Sequence, residues 1–349
     1  MHVLDYDYEL PEELIAQTPA KKRSESRLLV LDRTNEELSH EHFYELPRHM
    51  QEGDLLVANN SRVIPARLYG VKEGTGAVIE LLLLRPHGSP GVWQALVRPG
   101  KRLKPGQTVV FGDGKLNARV MDALEDGVRL VEFSEVGESF DQLLEVLGEM
   151  PLPPYIKEKL DDRERYQTVY AREKGSVAAP TAGLHFTPQL LDTIRGKGVD
   201  VEFITLHVRL GTFRPVQVDN PQEHHMHEEW YSVSADLFTK IQRVRESEHR
   251  VFSVGTTTVR ALESAYRKWQ SDAAMHAEGV VSGFTDLFIY PGFEFHATDA
   301  LITNFHLPKS TLLMLISALA GRERILEAYR VAVNERYRFF SFGDAMLIK

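Results

Sequence analysis

The densest cluster of groups able to move protons or hold a metal is His224-His225-Met226-His227-Glu228-Glu229. Side chains alternate along a strand, so an extended chain would set His225, His227 and Glu229 on one face. That trio suits zinc, while Glu229 beside a histidine suits acid–base work. The helical metalloprotease spacing is absent, and a solvated polar loop from Asp219 to Glu229 accounts for the same composition. His185 stands in Ala179-Pro180-Thr181-Ala182-Gly183-Leu184-His185-Phe186-Thr187-Pro188, whose small residues let a ligand approach the backbone. Between Leu184 and Phe186 it also reads as a buried histidine with its bonds satisfied. Gly255-Thr256-Thr257-Thr258-Val259-Arg260 lies between a strand and a helix. Its hydroxyls and free amides form a cradle for a ribose or carboxylate where open α/β sheets bind ligands. Pro308-Lys309-Ser310-Thr311 imitates a phosphate loop but lacks the upstream glycines, so it reads as a helix start capped by Ser310.

These segments need elements to position them. Apolar runs predict strands at Arg27–Leu31, Asp54–Ala58, Val201–His207, Val251–Val254 and Leu301–Phe305. Helical patterns cover Pro188–Lys197, Ala235–Glu246, Val259–Trp269 and Thr311–Ala320, and proline with carboxylates starts another at Pro11–Gln17. Alternating strands and helices predict an α/β layer with a largely parallel sheet. Between Ala66 and Val136 the texture changes. Short runs at Ala77–Leu84, Val92–Val97, Thr108–Phe111, Leu116–Met121 and Val128–Phe133 are separated by glycine turns, and a helix follows at Ser139–Leu147. Such spacing predicts a small antiparallel β-barrel. Pro65 and Met150-Pro151-Leu152-Pro153-Pro154 bracket it, which places a barrel domain, 66–150, inside an α/β catalytic domain made of 1–65 and 151–349.

Composition narrows the function. The 349 residues carry a net charge of −9, which excludes a uniformly basic nucleic-acid coat but not a local basic groove. Lys21-Lys22-Arg23, the Arg98–Lys104 turn and the Lys157–Arg172 stretch are the local candidates. Cysteine is absent, which removes disulfides and thiolate chemistry. With no signal region and no long apolar run, the expected location is the cytoplasm.

Several long phrases occur in one order along the chain. They are Leu14–Gln17, Ser26–Leu29, Gly53–Leu68, Met150–Ile156, Tyr166–Tyr170, Ala179–Thr187, His224–Glu229, Val254–Ser264, Phe305–Leu312 and Arg338–Met346. Together they resemble the S-adenosylmethionine:tRNA ribosyltransferase-isomerases of queuosine biosynthesis. Two positions depart from the family pattern: Ser61 stands at a usual threonine, and Arg209 at the first glycine of the turn after His207-Val208. The resemblance implies an α/β domain with an inserted barrel. It implies transfer and isomerisation of the ribosyl part of S-adenosylmethionine onto 7-aminomethyl-7-deazaguanine at the tRNA wobble position. The products would be epoxyqueuosine-tRNA, adenine and methionine, with S-adenosylmethionine consumed as a substrate, no cofactor, no metal and a monomeric enzyme.

That chemistry needs a base for the carbon beside sulfur and an acid for departing adenine, drawn from His185, His227, Glu229 and His306. Thr256, Thr257 and Arg260 are expected on the ribose and methionine ends, and Arg62, Arg67 and Arg214 on RNA or the methionine carboxylate. Thr181 and Gly183 in the small-residue loop, with His207 and Thr212 at the turn, complete the expected substrate-binding set. Two rival readings are a metal hydrolase on His225, His227 and Glu229, and an RNA-binding module without turnover that uses the barrel and its basic turn.

Overall fold

A computed structural model describes residues 2–35, 37–208, 221–224, 226–271 and 279–349. The chain divides into two compact units: Met1–Ser61 with Pro154–Glu173 and Ala179–Lys349, and Arg62–Pro153 with Lys174–Ala178.

The larger unit is built on one nine-stranded sheet. Its order is Val280–Thr285, Glu229–Ser234, Asp200–Leu206, Leu55–Asn59, Val251–Val254, Ala300–Asn304, Ala345–Ile348, Arg27–Leu31 and Leu38–His42. Asp200–Leu206, Leu55–Asn59, Val251–Val254 and Ala300–Asn304 run parallel at the centre. Leu55–Asn59, Val251–Val254 and Ala300–Asn304 are almost wholly apolar and buried throughout because both faces are covered, whereas Asp200–Leu206 carries Asp200 and Glu202 in its less buried first half. Along Arg27–Leu31, for example, Leu29 and Leu31 enter one core cluster while Leu28 and Val30 enter the other. Helices Thr311–Ala320 and Arg322–Asn334 contribute to the first cluster and Pro188–Gly196 to the second.

The sheet is mixed rather than largely parallel. Ala345–Ile348 pairs antiparallel with Ala300–Asn304, because two helices intervene and return the chain to the edge it left. Glu229–Ser234 and Val280–Thr285 add an antiparallel pair at the other side. The expected helix at Pro11–Gln17 is a single turn, Glu12–Leu14. The chain is drawn extended after it, where Ile15 bridges Phe339 and the amide of Phe339 donates to Leu14.

In the smaller unit six antiparallel strands close on themselves: Arg67–Lys72, Val78–Pro86, Val92–Arg98, Val128–Phe133, Leu116–Ala123 and Thr108–Phe111, the last pairing back to the first. Ile79, Leu81, Ala95, Val109, Phe111 and Val131 are among its fully buried residues. Gly70 takes an inward position on Arg67–Lys72, where a Cβ would meet the Phe111 ring and Val109. A glycine at an inward position weakens the alternation that betrays a strand, so this strand escaped the sequence pattern. Helix Gly137–Leu147 follows the barrel strands.

Candidate active site

The carboxyl ends of the parallel strands of the larger unit carry several of the side chains that line a cavity there. After Val251–Val254 the chain turns at Gly255, at φ 86°, a left-handed conformation that glycine adopts without strain. It then enters helix Thr256–Ser271, whose first turn holds Thr256, Thr257 and Thr258. Thr258 is spent on the fold, donating to the Val254 carbonyl at 2.5 Å. Thr256 and Thr257 line the cavity, and the Thr257 hydroxyl is buried with no hydrogen-bond partner. The cavity wall also takes Thr181, Asn304, His306, Tyr155, Phe340 and Ser341. Among the described residues, His306 and Tyr155 are its only ordinarily titratable side chains. Burial raises the Tyr155 phenol, which shares a 2.7 Å hydrogen bond with Ser341.

His306 follows the strand Ala300–Asn304 and is 8% exposed. Burial pushes its imidazole down to about 3, so it is uncharged at neutral pH. Its Nε2 lies 2.8 Å from the Thr303 hydroxyl, and its backbone amide donates to the Tyr329 hydroxyl at 2.9 Å. Ser310 caps the following helix by accepting from the Leu313 amide at 3.2 Å.

A hydrogen-bond chain leads away from this cavity. Thr181 Oγ1 donates to Asn304 Oδ1 at 2.9 Å, and Asn304 Nδ2 meets His185 Nε2 at 3.1 Å. His185 Nδ1 lies 2.7 Å from Ser26 Oγ, which donates to the Arg23 carbonyl at 3.3 Å. The amide nitrogen of Asn304 has only hydrogens to offer, so Nε2 accepts and Nδ1 carries the proton to Ser26. Burial, with Arg338 and Arg23 adding, pushes His185 down to about 3. Both ring nitrogens are engaged, so His185 orients Asn304 and does not line the cavity. Gly183, two residues earlier in Thr181–His185, packs where a Cβ would collide with the Tyr170 hydroxyl.

The remaining expected residues lie elsewhere. Glu229 is fully buried in an ion pair with Arg260, whose Nε also donates to the Leu287 carbonyl at 3.0 Å. Neither lines the cavity. His227 is exposed and precedes Glu229–Ser234, so the alternation expected of a strand does not reach it. His207 stacks on Trp230 at 5.2 Å between centroids, its Nδ1 buried without a partner, and burial lowers its pKa. Arg62 and Arg67 belong to the smaller unit, where Arg67 pairs with Glu80 at 3.4 Å. Arg209, Thr212, Arg214 and His225 lie outside the described residues. Among the described residues no three His, Asp or Glu side chains gather as a metal site, and no helix is long and apolar enough to cross a membrane.

The sequence alone passed over Asn304, Tyr155 and Ser341 as cavity residues. Asn304 carried one signal, a polar residue closing an otherwise apolar strand two positions before His306. Its partners lie 119 and 123 positions away, which no local pattern reveals.

Similarity to known proteins covers the whole chain. The profile of a family described as "Queuosine biosynthesis protein" matches residues 3–348. The S-adenosylmethionine:tRNA ribosyltransferase-isomerase of Moorella thermoacetica is 58% identical over 349 residues, covering 100% of both chains. That of Desulfitobacterium hafniense is 56% identical over 348 residues, again covering 100% of both. The crystal structure of the S-adenosylmethionine tRNA ribosyltransferase of Thermotoga maritima superposes with a TM-score of 0.55 at 42% identity, covering 99% of this chain and 100% of that one. The chain belongs to the queuosine biosynthesis protein family, whose relatives named above are S-adenosylmethionine-dependent tRNA ribosyltransferases.

Proposed function

We propose that this chain transfers and isomerises the ribosyl moiety of S-adenosylmethionine onto 7-aminomethyl-7-deazaguanine at the tRNA wobble position. The products are epoxyqueuosine-tRNA, adenine and methionine, and the enzyme acts as a monomer in the cytoplasm. The observation that carries the reading is full-length likeness, at 58% identity, to a protein named for this reaction. The cavity supports it chemically: among the described residues, hydroxyls and the Asn304 carboxamide line it together with the His306 imidazole at the carboxyl ends of parallel strands.

The sulfonium acidifies the ribose carbon bonded to sulfur. In the tautomer whose Nε2–H donates to the Thr303 hydroxyl, His306 keeps an Nδ1 lone pair that can take that proton and return it to the departing purine. Methionine leaves as a neutral thioether and needs no acid. Thr181, Thr256, Thr257 and Asn304 supply the hydrogen bonds that hold ribose and purine. Arg62 and the Arg98–Lys104 turn are assigned to RNA phosphates, and the wobble base, in a single-stranded loop, unstacks at a cost of a few kcal/mol.

The test mixes the protein with S-adenosylmethionine and tRNA bearing either the aminomethyl base or guanine. Equal release of adenine and methionine with the modified tRNA alone is expected. Release independent of the modified base, or binding of tRNA without release, would refute the reading.

A further inference from the structure

Beside the cavity lined by His306, and sharing Ser341 with it, the larger unit contains a smaller crevice. Its walls include Arg23, Arg165, Ser26 and His185, and no carboxylate side chain is among them. Each guanidinium is bonded to backbone carbonyls alone. Arg23 donates to Leu184 at 3.0 Å and Glu164 at 2.7 Å, and Arg165 to Lys21 at 3.2 Å and Ala20 at 2.5 Å. Carbonyls hold the two cations in place without neutralising them, and the two stand close enough to repel. Asp162 and Glu164 act on Arg23 electrostatically from nearby. The Nε of Arg165 is covered from solvent and has no hydrogen-bond partner. The third cation nearby, Arg338, already pairs with Asp344 at 3.3 Å.

Two half-buried like charges side by side, with one covered N–H left unmet, favour an anion between them. His185 cannot supply that charge, because it is a neutral imidazole bonded at both nitrogens. The bond from His185 to Asn304 and the shared Ser341 set the crevice against the cavity wall. A ligand long enough to extend past Ser341 from the cavity would meet the arginines with whatever anionic group it carries at that end.

We propose that this crevice is an oxyanion subsite that receives the carboxylate of the methionine moiety of S-adenosylmethionine, with Arg165 and Arg23 as its cationic walls. The proposal rests on the activity proposed above and deepens it by fixing which end of the substrate points away from His306. A guanidinium bound to a carboxylate forms charge-assisted hydrogen bonds, stronger than those to the carbonyls it already holds.

The test measures equilibrium binding, without turnover, of S-adenosylmethionine and of its decarboxylated analogue, in which a proton replaces the carboxylate. The wild-type protein is expected to bind the analogue about 10- to 100-fold more weakly, the range for losing a charged hydrogen bond. Arg165→Gln should weaken S-adenosylmethionine by a similar factor and leave the analogue unchanged, with Arg165→Lys between the two. The wild-type comparison stands even if Arg165→Gln fails to fold. Equal binding of both ligands by the wild-type protein would overturn the proposal, as would an equal loss of both in folded Arg165→Gln. A drop of about 0.7 in the salt slope of tRNA binding in Arg165→Gln, with both small ligands bound equally, would assign the crevice to an RNA phosphodiester instead. No binding of S-adenosylmethionine to the wild-type protein, with or without tRNA, would fail the proposed activity itself.

Discussion

Replacing Glu229 by glutamine separates a structural role from a catalytic one. Glu229 is 0% exposed and Arg260 2%, and the guanidinium's other bonds run to the carbonyls of Leu287 at 3.0 Å and Thr285 at 3.4 Å. An amide at position 229 leaves the Arg260 charge buried among dipoles alone. Breaking a buried pair from one side costs about 3–5 kcal/mol, because the surviving charge keeps its desolvation penalty. At about 2–4 °C of melting temperature per kcal/mol for a domain of this size, the transition should fall by roughly 6–20 °C. Removing both charges, as Glu229→Leu with Arg260→Met, should recover most of that loss, since an apolar pair of similar volume is often neutral. The assay is thermal unfolding by circular dichroism, with turnover per folded molecule measured well below the transition. Turnover within several-fold of wild type is expected for the double variant, because neither side chain lines the cavity. A Glu229→Gln protein with an unchanged transition and turnover lost at least about 100-fold, the scale of general acid–base catalysis, would refute the reasoning.

Acid should destabilise the larger unit through its two buried imidazoles. His185 and His306 are held at about 3 when folded, against about 6.5 unfolded, so the unfolded chain binds more protons between those values. Stability is therefore complete above about pH 6.5 and falls as pH drops toward 3. At pH 5 each histidine removes about 2 kcal/mol, and chemical unfolding of wild type and His185→Gln across that range should show the variant losing less on acidification. Thr257→Val should leave the melting temperature unchanged, since the hydroxyl it removes has no partner. Its KM for S-adenosylmethionine should rise about 3- to 10-fold if ribose or purine supplies that partner, and an unchanged KM would remove Thr257 from the binding set.

Part of this architecture was readable one residue at a time. The central strands announced themselves because both their faces are covered, and the barrel because its turns need glycine where φ is positive, as at Gly112 and Gly127. Gly255-Thr256-Thr257 was legible because a strand end, a glycine and a polar helix start fall together in sequence. Glu229–Ser234 was not, because it opens on a charged residue and buries alternate positions only. The roles of Glu229 and His185 depend on partners far along the chain: Arg260, 31 positions away, and Asn304, 119 away. Residue type identified these groups as able to do chemistry. Only the tertiary pairing shows that one is neutralised by an arginine and that the other spends one nitrogen on the Asn304 amide and the other on the Ser26 hydroxyl.

The central claim is that the chemistry happens in the cavity at His306. Its most direct test is single-turnover release of adenine by wild type and His306→Asn, at saturating S-adenosylmethionine and modified tRNA, with binding of S-adenosylmethionine measured alongside. The expected result is a rate lower by at least about 100-fold with affinity changed less than about threefold. A rate within several-fold of wild type in a folded variant would contradict the claim and move the proton transfer away from His306.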